Sequence, residues 1–162
     1  MRIIFWCPTM RLSLRGEYAL RALIVLGLNY DKPVVPIQMI SQQQNIPKRF
    51  LEQILNDLKS SGVLESKRGI KGGYRLARPP EKITLAMVIR QIEGALAPVS
   101  CVSEFCYERC SCPNESTCAI RSVMKEVRDA IVKIVERMTV EELCERAKRL
   151  RTESAHPMDY VI

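Results

Sequence analysis

The sequence predicts a mainly α chain in which a helical unit carrying one two-stranded hairpin precedes a long amphipathic helix. Three observations carry that prediction. Apolar residues recur at helical spacing in three successive segments between Ser13 and Ser60. Two short β-prone runs, 63–67 and 74–76, flank a turn with three glycines. The stretch from Ala119 to Arg137 keeps a single apolar stripe and follows a loop crowded with cysteine.

Taken in order, Ser13 to Leu28 reads as a largely buried helix, because Tyr18, Ala19, Ala22, Leu23, Val25 and Leu26 make a broad apolar face. Tyr30-Asp31-Lys32-Pro33 breaks it. Pro36 opens a short helix through Gln44, with Ile37, Met39 and Ile40 as its apolar side. Asn45-Ile46-Pro47 is a turn that starts a third helix with proline. Phe50, Leu51, Ile54, Leu55 and Leu58 line that helix, and Ser61-Gly62 ends it. Strands follow at Val63–Lys67 and Tyr74–Leu76, joined by Arg68-Gly69-Ile70-Lys71-Gly72-Gly73. Arg78-Pro79-Pro80 stops the second strand, and Thr84 caps a helix through Glu93. From Ala97 to Cys118 no period is visible. In the next helix Ile120, Val123, Met124, Val127, Ile131, Ile134 and Met138 form the stripe. Thr139 caps a last helix with Glu141 and Glu142 in its first turn, and residues 152–162 read as a flexible tail.

Helix, short helix, turn, helix, hairpin is the order of a winged helix-turn-helix. Charge agrees with a polyanion partner. The net charge is +7, and residues 1–100 hold 15 basic against 7 acidic side chains, whereas 101–162 hold 10 against 11. The third helix has the thickness for a DNA major groove and exposes Lys48, Arg49, Glu52 and Gln53, which can bond bases or phosphates. Arg68 and Lys71 stand on a turn narrow enough for a minor groove. Solvated charges on a small helical domain are the plain alternative. Element order, wing and charge segregation together favour double-stranded DNA.

The opening MRIIFWCPT lacks a secretory h-region and no run reaches the length of a membrane span, so a cytoplasmic chain without membrane partner is expected. Residues 1–9 read as a short extension, with translation from Met10 as an alternative start. No Ser/His/Asp set, phosphate loop or paired catalytic acids stand out, so an enzyme is not expected. In a reducing compartment cysteines serve metal or redox chemistry rather than structural disulfides. Of seven cysteines, five fall in one loop: Cys101, Cys106, Cys110, Cys112 and Cys118. Crowded thiolates repel and want a cation or cluster between them. Their spacing is not the paired C-x-x-C of a zinc ribbon, which favours an iron–sulfur cluster over zinc or a thiol–disulfide switch. Cys144, beside Leu143, reads as a buried structural thiol.

MRLSLRGEYALRAL at 10–23, FLEQIL at 50–55 and RGIKGGYRLARPPEKIT at 68–84 resemble the Rrf-two family of bacterial winged-helix transcriptional regulators, over Met10 to about Leu150. The resemblance implies a homodimer paired through the long C-terminal helix, operator DNA with a half-site per subunit, and three loop cysteines as cluster ligands. On the matching positions these are Cys101, Cys112 and Cys118, with Cys110 the rival for the middle place. A [2Fe–2S] cluster is favoured and [4Fe–4S] is the other type. Some members place a histidine three residues after the last cysteine as fourth ligand, but here that position is Arg121, and the only histidine, His156, lies in the tail. Cys110 or Cys106 from the loop, or Glu17 reaching across the dimer, are the remaining candidates. Glu52 matches a family glutamate that discriminates between DNA sites. The implied division is 1–9 extension, 10–96 DNA-binding domain, 97–118 cluster loop, 119–151 dimerisation and final helices, and 152–162 tail. The expected function is a DNA-binding regulator sensing cluster supply, redox state or nitric oxide. The alternatives are the same fold with zinc or a thiol switch, or an iron–sulfur carrier without DNA function.

Overall fold

The computed structural model describes residues 12–69 and 71–155. Expectations placed on residues 1–11, on Ile70 and on 156–162, Cys7 and His156 included, lie outside the described residues.

Among the described residues, six α-helices and one hairpin appear in the expected order. Helix α1 (Leu14–Leu28) begins where the Ser13 hydroxyl accepts the Gly16 N–H, relieving one of the unpaired donors of the first turn. Helix α2 (Ile37–Gln44) stops at Asn45, whose φ of 50° is the left-handed conformation that asparagine tolerates. Helix α3 (Lys48–Ser60) follows Pro47 directly, so α2 and α3 form a tight helix-turn-helix. Strands β1 (Leu64–Lys67) and β2 (Gly73–Leu76) pair antiparallel, Leu64 opposite Leu76 and Glu65 opposite Arg75. Val35 extends the wing by exchanging backbone hydrogen bonds with Tyr74 at 2.8 and 2.9 Å. That exchange explains Gly73, where a Cβ would stand 2.4 Å from the Val35 carbonyl oxygen. At the wing tip Gly69 turns the chain at φ +113°, a conformation that a side chain would strain.

Helix α4 (Leu85–Glu93) is capped by Thr84, which accepts the Met87 N–H at 3.3 Å. Single 3₁₀ turns at Pro80–Lys82 and Ser100–Val102 were not visible as a sequence period. Helix α5 (Ala119–Arg137) and helix α6 (Val140–Ala155) complete the chain. Thr139 and Glu142 close a reciprocal capping box between them: the Thr139 N–H donates to the Glu142 carboxylate and the Glu142 N–H to the Thr139 hydroxyl. Helix α6 runs to Ala155, so residues 152–155, expected in the tail, are helical. Thr152 and Ser154 return their hydroxyls to carbonyls one turn back, and Arg149 pairs with Glu153, which lets polar residues continue the helix.

One core holds the first unit together. Leu51, Ile54, Leu55 and Leu58 of α3 are at most 2 % exposed and meet Ala22, Leu23 and Leu26 of α1 and Leu64 and Leu76 of the hairpin. Each such side chain contributes about 1.5–3 kcal/mol by leaving water. The expected division set α6 with α5, yet Val140 and Cys144 of α6 are buried in the core of α1. Cys144 is the buried thiol that the sequence suggested; it donates to the Ile24 carbonyl at 3.6 Å, and burial pushes its titration up. Helix α6 packs so closely here that a Cβ on Gly27 would lie 2.6 Å from Cys144 Sγ. We expect Gly27→Ala to cost about 1–3 kcal/mol in urea unfolding and Cys144→Ala, added to it, to recover part of that loss. An unchanged midpoint for Gly27→Ala would contradict the close α1–α6 contact.

Candidate cysteine site and nucleic-acid interface

The loop from 97 to 118 is irregular but wired. A second small core forms where Ala97, Cys101 and Val102 bury together against Val99, Cys110 and Met124 of α5. The Ser100–Val102 turn is pinned to α5 by two arginines: Arg121 Nε donates to the Cys101 carbonyl at 3.2 Å, and Arg128 Nη1 to the Val102 carbonyl at 2.7 Å. The Glu115 carboxylate clamps the middle of the loop. It accepts the Cys110 N–H at 3.1 Å and the Tyr107 hydroxyl at 2.7 Å, and these bonds, Tyr107 first, hold it below the usual carboxylate range.

This wiring gathers four of the five thiols and leaves one out. Cys110 packs against buried Cys101. Cys112 and Cys118 stand Sγ to Sγ at 3.4 Å. Cys106 is exposed, and its backbone N–H donates to Ser103 Oγ at 2.9 Å. Among the described residues no three His, Cys, Asp or Glu groups converge on one point as a mononuclear metal would require. The thiols form a chain instead: Cys110 meets both Cys101 and Cys112, and Cys112 meets Cys118.

Their acidities differ for physical reasons. Cys118 is the N-cap of α5, and its Sγ accepts the Arg121 N–H at 3.4 Å. That donor first, then Cys112 and the Arg121 charge, hold the Cys118 thiol below its ordinary value, which favours the thiolate that metals bind. Cys112 moves the other way, pushed up to about 12 by hydrogen bonding with the Cys110 and Cys118 thiols. Burial, then the adjacent Cys110, raises Cys101. The stripe positions gave no hint that Arg121 would bridge two of these cysteines.

Glu17 lies on α1, half exposed, with its carboxylate 3.2 Å from Arg21 Nη1 one turn on. Within one chain it is bonded there, away from the loop's hydrogen-bond network.

The residues that the sequence offered for DNA are surface residues, and Gln53 lines a cavity between α1 and α3 with Ser13, Arg15, Tyr18 and Phe50. Lys48, Arg49, Glu52 and Gln53 are all exposed on the first two turns of α3, and Arg68 and Lys71 are exposed at the wing. Lys48 Nζ is 3.9 Å from Glu52 Oε1, an i,i+4 pair that partly neutralises both. Between α3 and the wing runs a groove of about 450 Å³ lined by Gln38, Asn56, Lys59, Lys67, Arg68 and Tyr74. Gln38, Lys59, Lys67 and Tyr74, which line this groove, were not among the candidates read from the sequence. Lys59 was legible, seven positions after Glu52 on the same helical face; Lys67 and Tyr74 become neighbours of the groove only when the hairpin closes. Tyr74 titrates high, from burial and then from the Glu52 carboxylate, so Glu52 looks toward this groove.

The two regions are mechanically joined. Arg90 of α4 pairs with Glu136 of α5 at 2.7 Å and lies 5.6 Å over the Phe105 ring of the loop. The Leu85 N–H donates to the Met138 carbonyl, and the Val140 N–H to the Ile83 carbonyl, at 2.8 and 2.9 Å. Glu93, at the end of α4, accepts both the backbone N–H and the hydroxyl of Ser13 at the head of α1. Arg15, in the first turn of α1, pairs with Asp57 of α3.

Helix α5 has no buried residue. Its expected single stripe divides in two. Met124 joins the loop core, and Ile131 and Met138 are half-buried. Ile120, Val123, Val127 and Ile134 remain exposed, with Ala130 among them, at a spacing of alternate three and four residues. That seven-residue repeat is the apolar spacing found along two-helix seams.

Residues 12–146 match the family described as "Iron-dependent Transcriptional regulator" (Rrf2). An rrf2-like HTH-type transcriptional regulator of Rhodobacter capsulatus is 37% identical over 131 residues, covering 78% of this chain and 87% of that protein. The HTH-type transcriptional regulator IscR of Pectobacterium atrosepticum is 30% identical over 134 residues, 83% of this chain and 79% of that one. Among solved structures, CymR, the global cysteine regulator of Bacillus subtilis, superposes with a TM-score of 0.73 at 29% identity, covering 85% of this chain and 98% of that one. These relatives are transcriptional regulators, not enzymes. No helix among the described residues is long and apolar enough to cross a membrane.

Proposed function

Because this chain belongs to the Rrf2 family of transcriptional regulators, we propose that it acts as a homodimer whose affinity for double-stranded operator DNA depends on an iron–sulfur cluster held in the 97–118 loop. The observation that carries this reading is the gathering of loop thiols at the head of α5, beside the helix that offers an unpartnered apolar seam. Cys101, Cys112 and Cys118 hold the cluster. Four soft donors in one loop suit iron–sulfur chemistry, and the Arg121 charge offsets the thiolates. When bound, the cluster supplies an iron centre whose loss, oxidation or nitrosylation is the signal.

The chain's own residues convert that signal. Cys118 is the first cap of α5, so a change in its bonding acts on the start of the seam helix. Phe105 and Arg90 connect the loop with α4, and Glu93 and Arg15 connect α4 with α1 and the reading helix. A differential strain between two loop states has a short packed route to α3. At the DNA, residues 10–96 do the reading: Gln53 and Arg49 offer bonds to base edges, Glu52 accepts from a cytosine amino group, and Lys48, Arg68, Lys71, Lys59 and Lys67 neutralise phosphates. The seam of α5 spaces two such units for two half-sites.

A duplex titration at several salt concentrations tests the DNA claim. Counterion release predicts a log–log slope of about −0.9 per phosphate contacted. The pair Arg68→Ala and Lys71→Ala removes two cations per subunit, so the slope of the dimer should shrink in magnitude by about 3–4. Equal slopes for this variant and the unmodified chain would take the wing out of the interface. No duplex binding in any cluster state would favour an iron–sulfur carrier.

A further inference from the structure

We propose that the cavity between the head of α1 and the reading helix α3 is a binding site for a small aromatic carboxylate, and that its occupancy lowers affinity for DNA. The binding does not depend on the cluster reading. Its effect on DNA rests on the use of α3 proposed above.

The cavity encloses about 330 Å³, within the range of small-ligand pockets. Each helix turns one face to it. Tyr18 follows Leu14 and Arg15 by one turn of α1, and Gln53 and Ile54 follow Phe50 by one turn of α3. Ile54 is buried and Tyr18 half-buried, but Leu14 and Phe50 remain 61% and 59% exposed. One large apolar side chain on each wall is therefore left in water, and an apolar ligand between them would relieve that exposure. Two of the lining groups are aromatic, Tyr18 from one helix and Phe50 from the other. They favour a ring over an alkyl chain, because rings pack offset or edge to face. The Tyr18 ring is held beforehand by Arg21, whose guanidinium stands 5.5 Å from its centroid.

Charge fixes the other half of the ligand. Among the described residues Arg15 is the one charged group of the lining, and no acid lines it. Asp57 bonds Nη2 of Arg15, which leaves further N–H groups of the guanidinium fork to meet a carboxylate. The Gln53 amide can donate to the second carboxylate oxygen. The Ser13 hydroxyl, also in the lining, is committed to Glu93 and to the Gly16 N–H. The occupant is thus a monoanion with an apolar ring. The chain itself carries an exposed aromatic beside an acid, Phe105 after Glu104, which a second copy could offer. Both are engaged at home, Phe105 under Arg90 and Glu104 with Arg128, which favours a free small molecule.

Phe50 and Gln53 share the first two turns of α3 with Lys48, Arg49 and Glu52. A ligand that takes the Gln53 amide and wedges α3 against α1 withdraws a base-reading group, so DNA affinity falls.

The test uses the full chain with isotope-labelled leucine and isoleucine methyl groups, and naphthaleneacetate as the probe. We expect the Leu14 and Ile54 methyl signals to shift saturably at millimolar probe, and Ile131 on α5 to stay. The neutral analogue naphthaleneethanol should bind at least about tenfold more weakly, and Arg15→Gln should bring the acid down to the affinity of the alcohol. Phe50→Ala should remove the shifts and keep the helical circular dichroism, since that side chain is mostly in water. Saturating naphthaleneacetate should weaken duplex binding at least about threefold in the unmodified chain and leave Phe50→Ala unaffected.

Absence of a saturable Ile54 shift overturns the site. Equal binding of acid and alcohol, or no effect of Arg15→Gln, overturns its carboxylate chemistry. Saturation with unchanged duplex affinity overturns the regulatory role. If Phe50→Ala instead turns a dimer into monomers in sedimentation, the cavity belongs to a second copy and the proposal fails. A chain that binds the probe but no duplex in any state supports the site and defeats the DNA reading, so the two failures are distinguishable.

Discussion

Replacing Val127 by lysine should separate the dimer while leaving the subunit folded. Val127 sits mid-seam on α5, with Val123 one turn before it and Ile134 two turns after, and all three are exposed in the single chain. A lysine there meets water in the monomer, so its effect on subunit stability should stay within about 0.5 kcal/mol. In a two-helix seam the same lysine must be buried against apolar neighbours or force the helices apart. A loss of about 2–4 kcal/mol is expected, which raises the dimer dissociation constant by roughly 30- to 1,000-fold. Sedimentation should find monomers at micromolar concentration, with the helical circular dichroism retained. Operator binding should weaken at least as much, because each monomer keeps only one half-site. A Val127→Lys chain that remains dimeric would move the interface off this face of α5.

The second large effect is expected at the head of the same helix. Cys118→Ser removes a thiol that both caps α5 and faces Cys112 at 3.4 Å. Serine is itself a good N-cap, so the helix should persist and its melting temperature should change little. The metal chemistry should not persist: iron and sulfide after reconstitution should fall to background, or to well under a tenth of the unmodified chain. This contrast between preserved fold and lost cluster is what separates a ligand from a structural cysteine. A Cys144→Ser control should behave oppositely. It should keep the cluster and lose stability, since Cys144 is buried beneath α1 and touches the core rather than the loop. If Cys118→Ser reconstitutes normally, the cluster is not held by the Cys112–Cys118 pair.

The winged unit was legible in the sequence because its elements are periodic and their ends are chemically marked. Thr84 and Thr139 cap the helices assigned to them, Ser13, read as the first residue of its helix, is its cap, and Asn45 takes the one left-handed non-glycine position among the described residues. The apolar positions of α3 are buried as its period requires. The cysteine loop was legible only as composition. It has no repeat from which to deduce neighbours, so nothing in it tells that Cys106 is exposed while Cys110 packs against the small loop core. What decides this is a set of bonds from Glu115, Arg121 and Arg128 to loop backbone, contacts made between residues up to 26 apart in the chain. The α5 stripe shows a related limit. Apolar periodicity marks a face, but two adjoining faces with different partners read as one broad stripe until packing separates Met124 from Val127. The α6 helix beyond residue 152 lacked an apolar signal and is held by polar side chains alone.

These observations converge on one coupling, between cluster state and DNA affinity. The most direct measurement is operator binding by fluorescence anisotropy, at fixed salt and without oxygen, using one preparation before and after cluster loading. The account predicts at least a tenfold difference in affinity between the two forms, equivalent to about 1.4 kcal/mol of coupling, and a much smaller difference in Cys118→Ser treated in the same way. Equal affinity of the loaded and cluster-free forms, with iron and sulfide counts proving that loading occurred, would contradict it.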